Sequence, residues 1–259
     1  MKIQFNKYEG TGNDFIVIKN SPALIDHSDT LLIRRLCDRR FGIGADGLVL
    51  VEDFEGYDFR MVYFNSDGSR GAMCGNGGRC AAHFMMKNNT GLRSLTFMAD
   101  DGPHNAVSKG DDIIEVSIGN VSEVRNTPDG LFINTGVPHL VIFTDDTDST
   151  DLVSLARPLR YSSRYAPEGV NVNIVQVLGD RIKVRTYERG VEDETLACGT
   201  GITASAIAAA LSGKIVTDRP VVMARGGTLS VRFILNDVGA SDIYLTGPAT
   251  FVFSGEIEP

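Results

Sequence analysis

The chain reads as α+β: two pseudo-symmetric domains from an internal duplication, each a curved, mostly antiparallel sheet around a central helix. Three observations predict this. Short stretches in which apolar and polar residues alternate recur from end to end. In each half the clearest helix follows a cysteine-glycine turn, "MCGNGGRC" at 73–80 and "ACGTGITA" at 197–204. Cys198 lies 124 positions after Cys74 in a chain of 259 residues, close to half its length.

Other segments repeat at the same spacing, as a duplication requires. "TGNDFIVI" (11–18) falls on "TGVPHLVI" (135–142) with Thr, Gly, Val and Ile identical, and "GLVLV" (47–51) falls on "NVNIV" (171–175). Tyr63 falls on Tyr187 and Asn65 on Arg189. The strands expected in order are "KIQF", "FIVI", "LVLV", "FRMVYF" and "IIEVSI", then "LFIN", "HLVIF", "VNIVQVL", "RIKVRTY", "LSVRF" and "DIYL". One helix starts at "GGRCAAHFMMK" and stops by Gly91; the other, "GITASAIAAAL", stops at Gly213. The second has almost no polar face, and its Ala, Ile and small hydroxyl residues suit a helix enclosed by a sheet. The seam is expected near "IGNVSEVRNTPDG" (118–130), which has turn residues and no periodicity. "GIGADG" (42–47) matches G-x-G-x-x-G, but strand-like "LVLVE" follows it where a dinucleotide fingerprint needs a helix. Its glycines are read as a tight turn.

Composition narrows the function. A hydrophobic content of 42% supports real cores, and 25 Lys plus Arg against 33 Asp plus Glu leave a formal charge of -8 with no basic cluster, which argues against nucleic acid. No signal peptide and no apolar run near the roughly 18 residues of a membrane span is present, so a cytoplasmic location is expected. There Cys37, Cys74, Cys80 and Cys198 would be reduced. The four histidines show no metal-ligand spacing.

A cysteine at a helix N-terminus lies where unmatched N–H groups and the macrodipole favour negative charge, so its thiolate forms readily. The glycines that follow let a carboxylate approach the same amides. Two such thiols on opposite sides of a stereocentre describe a racemase: one removes the α-proton while the other returns one. The amides between them would hold the enolate-like charge. Cys80, well inside its helix, and Cys37 are read as small buried hydrophobes. His139 is read as structural or supporting rather than as a base. A redox thiol pair and an amino-acid-binding protein are the readings from other classes.

"GTGNDF", "FGIGADG", "FNSDG", "MCGNGGRC", "EGVNVN", "YERG" and "ACGTG" run nearly end to end, and as a set they resemble the diaminopimelate epimerase family. The resemblance implies a cofactor-independent enzyme that interconverts LL- and meso-diaminopimelate for lysine and peptidoglycan synthesis. It implies that Cys74 and Cys198 are the acid/base pair and that Gly75, Asn76, Gly199 and Thr200 give backbone donors to the reacting carboxylate. Asn13, Asn65, Asn171, Glu188 and Arg189 would bind the substrate, chiefly its distal end. It further implies a homodimer acting on a small amino acid, with no cofactor, metal, nucleic-acid or membrane partner. The last strand would return to the first half, giving an N-terminal half of residues 1–118 plus 249–259 and a C-terminal half of residues 119–248. Two departures stand out: "GVPH" puts Val137 where the family often has Asn, and the loop "GVEDETLAC" (190–198) is one residue longer than usual.

Overall fold

The structure, a computed structural model, describes residues 2–89 and 91–258; Met1, Thr90 and Pro259 lie outside it. The chain divides into two compact units, Met1–Val116 with Gly247–Pro259, and Ser117–Thr246. Among the described residues no helix is long and apolar enough to cross a membrane.

The first unit contains β1 (Ile3–Gly10), β2 (Asn13–Lys19), α1 (Thr30–Cys37), β3 (Gly47–Glu52), β4 (Phe59–Asn65), α2 (Gly75–Asn88), β5 (Ser94–Ala99), β6 (Gly102–Ser108), β7 (Ile113–Ile118) and the last strand, β17 (Thr250–Ile257). Its sheet runs β17-β1-β2-β3-β4-β5-β6-β7, with β2–β3 and β4–β5 parallel and the other neighbours antiparallel.

The second unit contains β8 (Glu123–Thr127), β9 (Gly130–Asn134), β10 (Pro138–Phe143), α3 (Leu152–Arg160), β11 (Asn171–Leu178), β12 (Arg181–Glu188), β13 (Asp193–Thr195), α4 (Gly199–Leu211), β14 (Val221–Ala224), β15 (Gly227–Asn236) and β16 (Gly239–Pro248). Its sheet runs β8-β9-β10-β11-β12-β14-β15-β16, parallel at β10–β11 and β12–β14, while β13 is a short extra strand on β12. The two orders agree strand for strand, down to the places where parallel pairs fall. The expected mostly antiparallel sheet is therefore present twice, each copy with two parallel pairs that alternation alone does not reveal.

Registers show how far the 124-residue spacing holds. Phe15 pairs with Gly47 and, at that spacing, His139 pairs with Asn171. The next pairing slips by one, since Leu48 faces Phe64 whereas Val172 faces Tyr187. Tyr187 thus answers to Phe64 and not to Tyr63, and by the same slip Asn65 answers to Glu188 rather than Arg189. The physical reason is the β11–β12 hairpin, which is shorter than the β3–β4 connection. The residue recovered in the longer loop before Cys198 restores the spacing.

In each unit the sheet is buried on both faces, which explains the continuous apolar run "GLVLV". One face holds the central helix: α2 packs against β1 to β6 and β17, and α4 against β9 to β12, β14 and β15. The other face of the first unit packs Ile16, Leu48, Leu50 and Phe64 onto Ile33 and Leu36 of α1. Its counterpart packs Leu140, Val172, Ile174 and Tyr187 onto Leu152 and Ala156 of α3. α4 is enclosed because its hydroxyls bond within the helix, Thr203 Oγ1 to the Gly199 carbonyl and Ser205 Oγ to the Gly201 carbonyl. Gly213, at φ 64°, ends it as expected.

Some elements depart from the sequence reading. α1 and α3 are absent from it; each is a single amphipathic stretch capped by an aspartate, Asp29 accepting from the Leu32 N–H and Asp151 from the Ser154 N–H. The 118–130 segment, expected as an aperiodic seam, contains β8. That strand lies at a sheet edge and is mostly solvated, so its sequence carries no apolar alternation. The "GIGADG" stretch forms turns between α1 and β3, with Gly44 at φ 81°.

Candidate active site

Cys74 and Cys198 occupy the same place in the two units. Each is the N-cap of its central helix with an extended backbone, at φ -99°, ψ 119° and φ -111°, ψ 110°. The first intrahelical bonds run from Gly78 N–H to the Cys74 carbonyl at 2.7 Å and from Ile202 N–H to the Cys198 carbonyl at 2.8 Å. Neither cysteine side chain caps its helix, and neither first turn carries an acidic residue. First-turn amides have no acceptor inside an α-helix and form the positive end of its dipole. The first turns Gly75 to Gly77 and Gly199 to Gly201 therefore start beside a thiol, at the positive end of each helix dipole.

In the first unit Cys74, Asn13 and Asn76 come together. Cys74 Sγ lies 3.9 Å from Asn13 Oδ1, which also accepts from Asn76 Nδ2 at 3.2 Å, and Asn13 Nδ2 donates to Asp46 at 2.8 Å. Behind them lies Arg79, a residue with no place in the sequence reading. It is wholly buried, and its guanidinium donates to Asn76 Oδ1 and Thr11 Oγ1 at 3.0 Å each and to the Gly75 and Pro248 carbonyls at 3.3 and 3.2 Å. Burial lowers its pKa. Asn65 lies at the end of β4, where its side chain donates to Ser69 Oγ at 3.1 Å.

In the second unit Cys198 heads a longer chain of contacts. Its Sγ lies 3.4 Å from Thr200 Oγ1, which lies 3.0 Å from His139 Nε2; His139 Nδ1 lies 3.0 Å from Asn173 Nδ2, and Thr186 Oγ1 donates to Asn173 Oδ1 at 2.8 Å. His139 is fully buried, and burial first, then the Arg189 charge, push its pKa down to about 3 despite the Asn173 hydrogen bond. It is a neutral supporting group. Asn171 anchors the turn after β12, accepting from the Arg189 N–H at 2.7 Å and donating to the Pro138 carbonyl. Arg189 Nη1 donates to the Glu168 carbonyl at 3.2 Å, and Glu188 is half-buried at the end of β12. Gly201 is forced by close approach: a Cβ there would stand 2.4 Å from Asn173 Oδ1.

The Thr200 hydroxyl, Asn173 and Thr186 join this cluster although sequence reasoning gave Thr200 only a backbone role. A signal existed for Asn173, which shares a strand face with Asn171 in "NVN". Cys37 and Cys80 are buried as read, and burial raises both thiols, Cys37 to about 12 and Cys80 further.

A family model described as diaminopimelate epimerase matches residues 5–124 and 131–252, one match to each half. The chain belongs to the diaminopimelate epimerase family. It is 47% identical over 252 residues to the diaminopimelate epimerase of Flavobacterium psychrophilum, covering 97% of this chain and 98% of that one. It is 40% identical to that of Chlorobaculum tepidum, covering 96% and 98%. Among solved structures, a Bacillus anthracis phenazine biosynthesis protein of the PhzF family superposes with a TM-score of 0.79 at 13% identity over 100% of both chains. A hydroxyproline epimerase from Agrobacterium vitis superposes at 0.71 and 13% identity, over 99% of this chain and 91% of that one. At such identities the two structures speak for the fold that this family shares with them.

Proposed function

We propose that this member of the family is a diaminopimelate epimerase that uses Cys74 and Cys198 as its two bases and needs no cofactor. Each half, residues 1–118 with 249–259 and residues 119–248, supplies one thiol. The observation that carries the reading is that both cysteines cap buried helices with the same backbone geometry and the same first hydrogen bond. One thiolate takes the α-proton from one side of the stereocentre and the other thiol returns a proton on the opposite side. The first-turn amides, those of Gly75, Asn76, Gly199 and Thr200 among them, hold the α-carboxylate as it gains enolate character, where preorganised donors act most strongly. Asn13, Asn65, Asn171, Glu188 and Arg189 receive the distal amino-acid end, Glu188 matching its ammonium and Arg189 its carboxylate. A site that hydrogen-bonds such groups discriminates strongly against analogues lacking them. The product feeds lysine biosynthesis. Cytoplasmic location and a homodimer belong to the same proposal, the homodimer from the family.

In deuterated water under reducing conditions, the purified chain is expected to convert LL-diaminopimelate and to take solvent deuterium into the α-position with nothing added. Absence of both sinks the activity. The two-base mechanism has its own test. Cys74→Ser and Cys198→Ser should each lose epimerisation by orders of magnitude, yet each should still eliminate halide from one isomer of a β-halogenated analogue, the two choosing opposite isomers. The same choice in both variants refutes it.

A further inference from the structure

The "GIGADG" turns (42–47) end beside Asn13, and their Asp46 holds that side chain. Asp46 Oδ2 accepts from Asn13 Nδ2 at 2.8 Å and from the Asp14 N–H at 3.2 Å, while its Oδ1 accepts from Arg39 Nη2 at 2.8 Å. The Asp46 N–H returns to Asp14, to its carbonyl at 3.0 Å and its Oδ1 at 3.1 Å. Arg39 forks onto the Asp14 carboxylate at 2.6 and 3.0 Å, and buried Lys7 joins Asp14, at 2.6 Å, to the Gly44 carbonyl. Burial works to raise the Asp14 carboxyl, but Arg39 and Lys7 hold it well below the usual carboxylate range, so this anchor stays charged. Gly44 lets the turn close at φ 81°, where a Cβ would stand 2.9 Å from Arg39 Cα.

A carboxylate only accepts, so Asn13 turns Nδ2 toward Asp46. Arg79 only donates, so Asn76 gives it Oδ1 and offers Nδ2 to Asn13. Both neighbours thus demand the same orientation of the Asn13 amide, with Oδ1 toward α2. The second copy shows that amide and carboxylate go together. Phe15 faces Gly47 as His139 faces Asn171, so the 124-residue spacing is intact here and Asn13, Asp14 and Asp46 answer to Val137, Pro138 and Val170. Where the amide is gone, both carboxylates are gone with it.

We propose that Asp46, braced by Arg39, is a positioning residue of the active site, fixing the Asn13 amide before substrate arrives so that binding pays nothing to orient it. The proposal rests on the reading of Asn13 as a substrate ligand and adds what makes it one. It also gives the "GIGADG" stretch a part in the reaction that its glycines alone do not have.

Two measurements on the full-length chain test this. In steady-state epimerisation, Asp46→Ala should raise KM about tenfold with kcat little changed, the loss of one hydrogen bond to an ion that serves ground and transition state alike. Asp46→Asn should do the same, because one of the two acceptor positions becomes an NH2 group facing a donor. In an Asn13→Ala background, Asp46→Ala should add less than about twofold, whereas a general loosening of the turn would add its full factor. In heteronuclear NMR of the unliganded chain, the Asn13 side-chain amide signals, assigned by their loss in Asn13→Ala, should exchange with water about tenfold faster in both Asp46 variants. An unmoved KM, a wild-type-like Asp46→Asn, independent factors in the double variant, or unchanged exchange overturns the proposal. If neither Asp46 variant folds, Arg39→Met, which keeps the stem against Gly44, should speed the same exchange, and an unchanged rate there is equally fatal. Exchange needs no substrate, so a chain that shows these rates but fails to epimerise loses only the activity reading.

Discussion

Gly201→Ala puts the enclosed helix α4 against its polar neighbours. The added methyl would lie 2.4 Å from Asn173 Oδ1, 3.2 Å from Thr186 Oγ1 and 3.3 Å from His139 Cε1. Ordinary contact begins about 1 Å further out than the first of these, and all three neighbours are buried. Shifting Asn173 costs about 1–3 kcal/mol of packing strain, and the hydrogen bonds it holds to Thr186 and His139 add about 1–3 kcal/mol when left unmet. Replacing a helical glycine by alanine returns about 1 kcal/mol. The net loss is about 1–5 kcal/mol, and its midpoint corresponds to roughly 10 °C in Tm for a unit of this size. Gly77→Ala is the internal control, because it occupies the same position of the other copy but meets the flexible Met61 Cε at 3.2 Å, Phe15 at 3.4 Å and Cys74 Cβ at an ordinary 3.6 Å. It should stay within about 1 kcal/mol of wild type. Thermal and urea unfolding followed by far-UV circular dichroism would show both. Equal effects in the two variants, or a stabilised Gly201→Ala, would show that the close approach of Asn173 does not force this glycine.

A pH effect follows from His139. The folded chain resists protonating it until about pH 3, whereas the unfolded chain takes up that proton near 6.5, so stability falls as pH drops through that window. His139→Asn should flatten the fall, read as urea midpoints at pH 7.5 and 4.5; an unchanged slope would exclude this origin. Arg79→Met strips donors from Thr11 Oγ1, Asn76 Oδ1 and two carbonyls. At about 1–3 kcal/mol per unmet buried acceptor, less the relief of a buried charge, it should cost about 2–4 kcal/mol in chemical denaturation, and an unchanged midpoint would show that the charge was the greater burden.

The repeat was legible because backbone constraints recur at fixed spacing: the cysteine turns, the stop at Gly213 and the doubly buried strands each leave a local mark. Tyr63 and Tyr187 show the limit. Identical residues at the expected distance are not equivalent, since a hairpin of different length shifts the register between them. α1 and α3 escaped notice because each spans only two or three turns, and Pro158 within α3 reads as a breaker. β8 escaped because an exposed edge needs no apolar face. The helix-entry position of both cysteines was written in the glycines that follow. The polar contacts behind each sulfur were not, because Arg79 reaches Asn76 in one unit, and Asn173 reaches His139 in the other, only after each sheet has formed.

The two copies close their sheets by different routes, β8 running directly into β9 while β17 reaches β1 from the far end of the chain. During synthesis the second unit is therefore complete while the first still shows an open edge on β1, a state in which an unmatched strand is exposed to wrong partners. Loss of the last few residues would make that state permanent. Ile257 faces Ile3 across the ladder, as Thr127 faces Gly130 in the other copy. A short linker joining the chain's ends would thus recreate the β8–β9 hairpin in the first unit, and a permuted gene opened elsewhere would let both units mature in the order in which they are made.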